Sequence, residues 1–276
     1  PHREALGGSS IMNKIIKFFS RRGTWAIPYA LFLVLFVLLP LVLIGVYAFM
    51  DNDGGFSIAN FVQFVEQPEA FNTFIYSVAV AIVTTFFTIL LGYPAAYILS
   101  NKEFNRSKTM VLLFILPMWV NVLIRTLATV SLFDITGIPL GEGALLFGLT
   151  YDFLPFMIYP IYNTMMKIDK NLIEAAQDLG ANQLRVFLKV ILPLSMPGVV
   201  SGIMMVFLPT ISTFAISELL TMNDIRLFGS IIQENIMLSD TMNYGAALSL
   251  LMLLIIGITS VVSGGDDEQV SHGGII

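Results

Sequence analysis

The sequence predicts an all-α integral membrane protein with six transmembrane helices, and its composition and apolar runs carry that prediction. The chain has 276 residues, of which 56% are hydrophobic and only 12% charged, and its mean hydropathy is +0.83. A soluble domain carries about a quarter charged residues, so most of this surface must face lipid. Six apolar runs each reach the roughly 20 residues that a helix needs to cross a bilayer. Helices are expected because backbone polar groups in lipid must be satisfied within the segment.

The six runs form one predicted transmembrane domain over residues 12–264. Arg125 interrupts the third run, Asp152 lies in the fourth, and Pro209 is expected to kink the fifth. Residues 1–11 are interpreted as an added leader because Met12 resembles a natural start, and residues 265–276 as a natural or added tail. The predicted spans are 23–50, 70–101, 109–133, 143–166, 193–222 and 241–264.

The basic residues predict the orientation of these spans. Lysine and arginine are enriched in cytoplasmic loops, and here they precede the first span or lie in the second and fourth loops, apart from Arg125 within a span and Arg226 on the opposite side. The N- and C-termini are therefore predicted to be cytoplasmic, and the acidic loops to face outward. Those acids either exclude positive charge or attract a substrate. The basic residues are Lys14, Lys17, Arg21, Arg22, Lys102, Arg106, Lys108, Lys167, Lys170, Arg185 and Lys189.

The residue inventory argues against an enzyme. The chain has no cysteine, and its histidines are His2 and His272 near the two ends. A thiol nucleophile, a histidine-based catalytic triad and a metal centre within the spans are therefore not expected. The phosphate-binding pattern GxxxxGK[ST] does not occur, so the chain is not expected to hydrolyse ATP. No cofactor and no nucleic-acid partner are predicted for it.

The loop 167–192 predicts two short cytoplasmic helices. Asn171 is expected to cap the first helix with Glu174 three residues later, and Gly180 suits a left-handed position after its end. The spacing of the next apolar residues predicts one face on a second helix, which Pro193 should end or kink. Such a segment either lies on the lipid headgroups or docks on a partner. That apolar face comprises Leu184, Phe187, Leu188 and Ile191.

The same loop resembles the EAA motif of bacterial ABC importer permeases. It has Glu174-Ala175-Ala176, then Gly180, and then Val190-Ile191-Leu192-Pro193 at the family's spacing. The resemblance implies the type I ABC importer permease fold, with a coupling helix that docks on an ATP-hydrolysing subunit. ATP and Mg would then be bound by that partner. The coupling residues that it implies are Glu174, Ala175, Ala176, Asp178, Leu179, Gly180 and Phe187.

Taken whole, the chain resembles the first permease subunits of spermidine/putrescine importers. The resemblance rests on Arg-Arg-Gly before the first span, the run 92–97 (Gly-Tyr-Pro-Ala-Ala-Tyr), and the run 116–119 (Leu-Pro-Met-Trp) with Arg125. It implies a second, related permease, two ATP-binding subunits, an extracytoplasmic polyamine-binding protein and a place in the bacterial cytoplasmic membrane. The run 92–97 also occurs in iron, thiamine and phosphonate permeases, which are the alternatives. A secondary transporter or channel is the alternative of another class, but it has no need of an EAA-like loop.

Ionisable residues within spans are the candidates for a substrate pathway because they are costly in lipid. Asp152 and Glu218, with Asp134 at the end of a span, are predicted to meet at one depth near the outer surface. Carboxylates beside aromatic rings suit an organic polycation. Alternatively, Arg125 pairs with Asp152 or Glu218 to hold helices together, and the aromatic residues serve as packing or interface anchors. The accompanying aromatic residues are Trp119, Phe133, Tyr151, Phe156, Tyr159 and Phe214.

Overall fold

The computed structural model describes residues 27–51, 54–101 and 109–272, and in the last helix it describes side chains as far as Ser260. The expected leader 1–11, the basic residues before the first span and in 102–108, and the last four residues of the tail lie outside these ranges. The described helices are α1 (Ile27–Ala48), α2 (Ala59–Glu66), α3 (Pro68–Ser100), α4 (Thr109–Trp119), α5 (Val122–Thr136), α6 (Glu142–Met165), α7 (Lys170–Asp178), α8 (Gln183–Ser212), α9 (Ala215–Thr221), α10 (Phe228–Met237) and α11 (Met242–His272).

Five of the predicted spans correspond to helices that are long and apolar enough to cross a membrane. They are α1, α3, α6, α8 and the segment Ser239–Ser260, which contains the first part of α11. The last helix continues beyond the predicted span to His272. The all-helical, multi-span architecture predicted from the sequence is therefore confirmed.

The third predicted span is broken, which the sequence analysis did not anticipate. Helices α4 and α5 are bent by 100° at the break between them, and together they would make a sixth span. Pro117 lies inside α4, which ends two residues later at Trp119. Asn121 then begins α5 as its N-cap, with its side chain accepting from the amide of Leu123 at 2.8 Å.

The fifth predicted span has different boundaries from those expected. Helix α8 starts at Gln183 and runs through both Pro193 and Pro209, so neither proline ends it. A π-helical turn over Phe187–Ile191 directly precedes Pro193. Because a proline ring clashes with the carbonyl four residues earlier in an α-helix, the wider turn accommodates it. The chain unwinds at Thr213 and Phe214, and α9 follows as a separate helix.

Helix α10 is an element that the sequence analysis missed, and it packs against the first part of α3. Its first amide, that of Phe228, donates to the Ser77 hydroxyl of α3 at 2.8 Å. The Phe228 ring contacts Phe64 of α2 and Phe74 of α3 edge to face. A buried side chain thus satisfies one of the free amides at the start of a helix, and an aromatic cluster holds the helix in place.

The core lies where α6 is enclosed by α3 and α8. Small residues on α8 permit close approach to α6: a Cβ at Gly198 would lie 2.8 Å from the carbonyl oxygen of Pro160. Small residues at helix contacts are typical of membrane proteins, because tight packing rather than hydrophobic burial drives association in lipid. Helix α1 stands apart from this core, packs on α11 and is otherwise exposed.

Candidate functional site

The helix α7 forms the exposed part of the loop that carries the EAA-like motif. Asp169 is its N-cap, and the Asp169 carboxylate accepts from the amide of Asn171 at 3.0 Å. The prediction that Asn171 caps this helix together with Glu174 was therefore wrong. Both residues can cap helices, but the aspartate comes two residues earlier and takes the position, which leaves Glu174 exposed at the middle of the helix.

The glycine of the motif has the predicted conformation at the end of α7. Gly180 has φ +80°, in the left-handed region that favours glycine. Its amide donates to the carbonyl of Gln177 at 2.8 Å, and the amide of Ala181 donates to that of Ala176 at 3.1 Å. This pair of bonds is the Schellman motif, and it reverses the chain tightly into α8.

Several apolar side chains at this turn and in the two helices that flank it are exposed. Leu179 is 89% exposed, and Leu172, Leu184 and Leu188 are also exposed. The four residues predicted to form one apolar face differ in exposure: Leu184 and Leu188 are exposed, Phe187 is half-buried and Ile191 is buried. The π turn over Phe187–Ile191 interrupts the α-helical spacing on which the prediction of one face rested. We call the four leucines the leucine patch.

The turn is joined to the transmembrane helices through Phe187. The Phe187 ring lies edge-on to Tyr93 and Tyr97 of α3, with centroid distances of 5.9 and 5.6 Å. The Tyr93 hydroxyl shares a hydrogen bond of 2.9 Å with the buried Ser195 of α8. The π turn, α3 and the first part of α8 are therefore connected by aromatic and polar contacts.

Of the two partners considered for Arg125, the structure selects Asp152. The Arg125 Nε lies 3.4 Å from the Asp152 Oδ1, and the two residues are only 7% and 1% exposed. Thr126 donates to the Asp152 Oδ2 at 3.0 Å, and the Arg125 guanidinium lies over the Tyr151 ring, 5.8 Å from its centroid. Both members of this charge pair between α5 and α6 are buried within the chain, so Asp152 is barely accessible at its surface.

The acids predicted to meet near the outer surface have different surroundings. Asp134 is exposed, whereas Glu218 is half-buried and lines a cleft that neither Asp134 nor Asp152 lines. Of the accompanying aromatic residues, Phe133 is buried and Phe156 is half-buried. The exposed ones are Trp119, Tyr151, Tyr159 and Phe214.

The cleft beside Glu218 lies between α9, the connection 222–227 and α10. It measures about 240 Å³. Arg226 lies at this cleft and is held by Glu234, with 2.9 Å between Nη1 and Oε2. The sequence analysis missed the remaining polar members because they lie on α10, which it did not predict. The polar and charged residues that line the cleft are Glu218, Asn223, Arg226, Ser230, Gln233 and Glu234.

Comparison with known proteins identifies the family. Residues 88–264 match the family described as "Binding-protein-dependent transport system inner membrane component". The chain belongs to this family. Its members are permease subunits of ABC importers, which are non-catalytic components of transport. The resemblance seen in the EAA-like loop is thereby confirmed at the level of the family.

Several similar curated proteins share the name "Spermidine/putrescine transport system permease protein PotB", and two of them are described here. The protein from Escherichia coli (strain K12) is 31% identical over 253 residues, which cover 83% of this chain and 92% of that protein. The protein from Haemophilus influenzae is 31% identical over 267 residues, which cover 89% of this chain and 93% of that protein. The similarity extends over nearly the full length of both relatives.

Two solved structures share the fold of this permease subunit. A chain of the MetNI methionine ABC transporter, in inward-facing conformations, aligns with a TM-score of 0.60 at 18% identity, covering 72% of this chain and 94% of that one. A chain of a bacterial ABC transporter involved in the import of the acidic polysaccharide alginate aligns with a TM-score of 0.63 at 12% identity. The alignment covers 95% of this chain and 99% of that one. At these identities the similarity concerns the fold alone.

Proposed function

We propose that this permease subunit forms half of the translocation pathway for polyamines such as spermidine and putrescine. The observation that carries the proposal is the 31% identity to spermidine/putrescine permease proteins across at least 92% of their length. The charges at the described outer cleft agree with it, because the Glu218 carboxylate lies there while Arg226 is already paired with Glu234. An importer of iron, thiamine or phosphonate is the alternative.

The subunit works in a complex in the bacterial cytoplasmic membrane. Its partners are a second, related permease, two ATP-binding subunits and an extracytoplasmic polyamine-binding protein. The N- and C-termini and α7 lie on the cytoplasmic side, as the basic loops predict. ATP and Mg are bound by the ATP-binding subunits, because this chain has no phosphate-binding loop.

The ATP-binding subunit docks on α7 and the leucine patch. Four exposed leucines within 17 residues of the chain, together with the exposed carboxylates of Glu174 and Asp178, are suited to contact with a partner. The contact residues are Glu174, Ala175, Ala176, Asp178, Leu179 and Gly180. Phe187, which contacts Tyr93 and Tyr97, transmits the movement of the docked α7 to α3. Alternating access then follows from rigid-body movement of packed helices.

The proposal is tested by uptake and ATP hydrolysis of the four-component complex reconstituted in liposomes. We expect binding protein loaded with spermidine to stimulate ATP hydrolysis and to drive accumulation of radiolabelled spermidine inside the vesicles. The control is the same binding protein without ligand. If the complex responds instead to a binding protein loaded with iron, thiamine or a phosphonate, the importer assignment stands and the polyamine assignment is wrong.

A further inference from the structure

We infer that the cleft between α9 and α10 binds one protonated amino group of the polyamine at the outer end of the pathway. The inference rests on the proposed function, which supplies the polyamine and the direction of transport. It rests on Glu218 and Gln233, which both line the cleft. The sequence analysis did not single out Gln233.

The cleft presents unused acceptors. The Glu218 carboxylate has no hydrogen-bond or ion-pair partner among the described residues. The Gln233 side-chain oxygen is buried and likewise lacks a partner within the described part of the chain. Unsatisfied buried acceptors are rare in native proteins and call for an explanation. A ligand that brings hydrogen-bond donors and a positive charge would satisfy both groups at once.

The charge balance of the cleft favours a cation. Arg226 and Glu234 neutralise each other across 2.9 Å, which leaves the Glu218 charge uncompensated. An ammonium group offers three donors and no acceptor, so it matches a carboxylate and an amide oxygen placed together. Charge-assisted hydrogen bonds of this kind are roughly twice as strong as neutral ones.

A metal ion fits the cleft less well than an ammonium group. Calcium takes six to eight oxygen ligands, and magnesium requires an octahedral set. Among the described residues no group of three or more histidine, cysteine, aspartate or glutamate side chains could hold a metal ion.

The size of the cleft limits what it can hold. About 240 Å³ lies below the roughly 300–1,000 Å³ of pockets that enclose a whole small molecule. The cleft would therefore hold one end of a polyamine while the rest of its chain remains outside. Such a site would orient the substrate as it leaves the binding protein, with one amino group leading.

The absence of cysteine allows a direct test by labelling a single introduced thiol. Met237 lines the cleft and is 75% exposed, so Met237→Cys places a thiol at its edge. Met222 is 76% exposed but does not line the cleft, which makes Met222→Cys a matched control. The rate at which neutral N-ethylmaleimide modifies this chain, within the assembled complex, is measured by mass spectrometry with and without spermidine.

We expect spermidine at roughly ten times its Kd to slow modification of Met237→Cys about tenfold by mass action, and to leave Met222→Cys unaffected. Sodium or magnesium chloride at equal ionic strength should give no protection. Adding Glu218→Gln to Met237→Cys should abolish the protection, whereas Asp224→Asn, which removes an exposed charge nearby but outside the cleft, should preserve it.

The outcomes separate this inference from the proposed function. Equal modification rates with and without spermidine would overturn the cleft as a binding site, even where uptake of spermidine by the same complex proceeds normally. Protection that survives Glu218→Gln, or that magnesium reproduces, would also overturn it. Absence of polyamine uptake by the unaltered complex would instead reject the proposed function, and the inference with it.

Discussion

At the scale of single residues, Arg125 and Asp152 form a buried ion pair. Both are buried within a membrane domain, and each has the other as its ion-pair partner. Their polar capacity is not fully used, since the Arg125 Nη1 makes no hydrogen bond in the described structure. Removing one member of a buried pair leaves an uncompensated charge, which costs more than the pair itself contributes.

We therefore predict that Asp152→Asn destabilises the complex, by on the order of 3 kcal/mol as for other broken buried pairs. The double variant Arg125→Gln with Asp152→Asn should recover part of the loss, because no charge is then left alone. The measurement is the apparent Tm of the purified complex, taken as the temperature at which half of its monodisperse chromatographic peak is lost. Asp134→Asn serves as the exposed control and should leave the Tm unchanged.

The same variants distinguish a structural pair from a substrate ligand. If Asp152 instead contacted the polyamine, Asp152→Asn would reduce uptake at an unchanged Tm, and the added Arg125→Gln would restore nothing. That result would return Asp152 to the substrate pathway predicted from the sequence.

At the scale of elements, two of the predicted spans are interrupted, one at 120–121 and the other at 213–214. Irregular backbone at membrane depth is tolerated where it is covered by protein. The second break is covered by the start of α10, where Gly229 lies directly on the backbone of Ser212 and Thr213. The close approach is possible because glycine has no Cβ.

We predict that Gly229→Ala disrupts this contact. The added Cβ would lie 2.7 Å from the carbonyl oxygen of Thr213, and backbone atoms cannot rotate away as a side chain can. The yield of folded complex and its apparent Tm should both fall. Gly257→Ala, within α11 and with open space around its Cβ, should be neutral or stabilising by about 0.5–1 kcal/mol. A Tm for Gly229→Ala equal to that of the unaltered protein would contradict the packing described.

The elements differ in how far the sequence determines them. The long apolar run 70–101 predicted α3 to within two residues because hydropathy is a property of the segment itself, whereas the predicted fifth span 193–222 begins and ends ten residues after α8. Gly180 was predicted correctly for the same reason, as a left-handed turn is local. Helix α10 was not predictable, since its first amide depends on Ser77, 151 positions earlier in the chain. The cleft beside Glu218 depends on α10 and was missed with it.

At the scale of the whole molecule, the contacts of the segment that follows α7 determine how a movement of α7 would reach the transmembrane helices. Helix α7 itself buries no residue completely, so its connection to the core depends on the segment that follows. Two links lead from that segment: α8 is continuous from Gln183 to Ser212, and Phe187 contacts Tyr93 and Tyr97 of α3. Because α3 and α8 both enclose α6, a displacement transmitted along both would move the three helices together.

Phe187→Ala should separate ATP hydrolysis from transport. The substitution leaves the surface of α7 intact, so the ATP-binding subunits should still copurify and hydrolyse ATP. Edge-to-face aromatic contacts contribute about 0.5–1.5 kcal/mol each, and a loss of about 1 kcal/mol corresponds to roughly a fivefold change in an equilibrium. We expect the number of substrate molecules imported per ATP to fall by a similar factor. Phe86→Ala, which removes an exposed ring from the same helix as the tyrosines, should leave this ratio unchanged. A normal ratio in Phe187→Ala would mean that the continuous helix α8 alone carries the movement, with the tyrosines of α3 serving only to pack the turn.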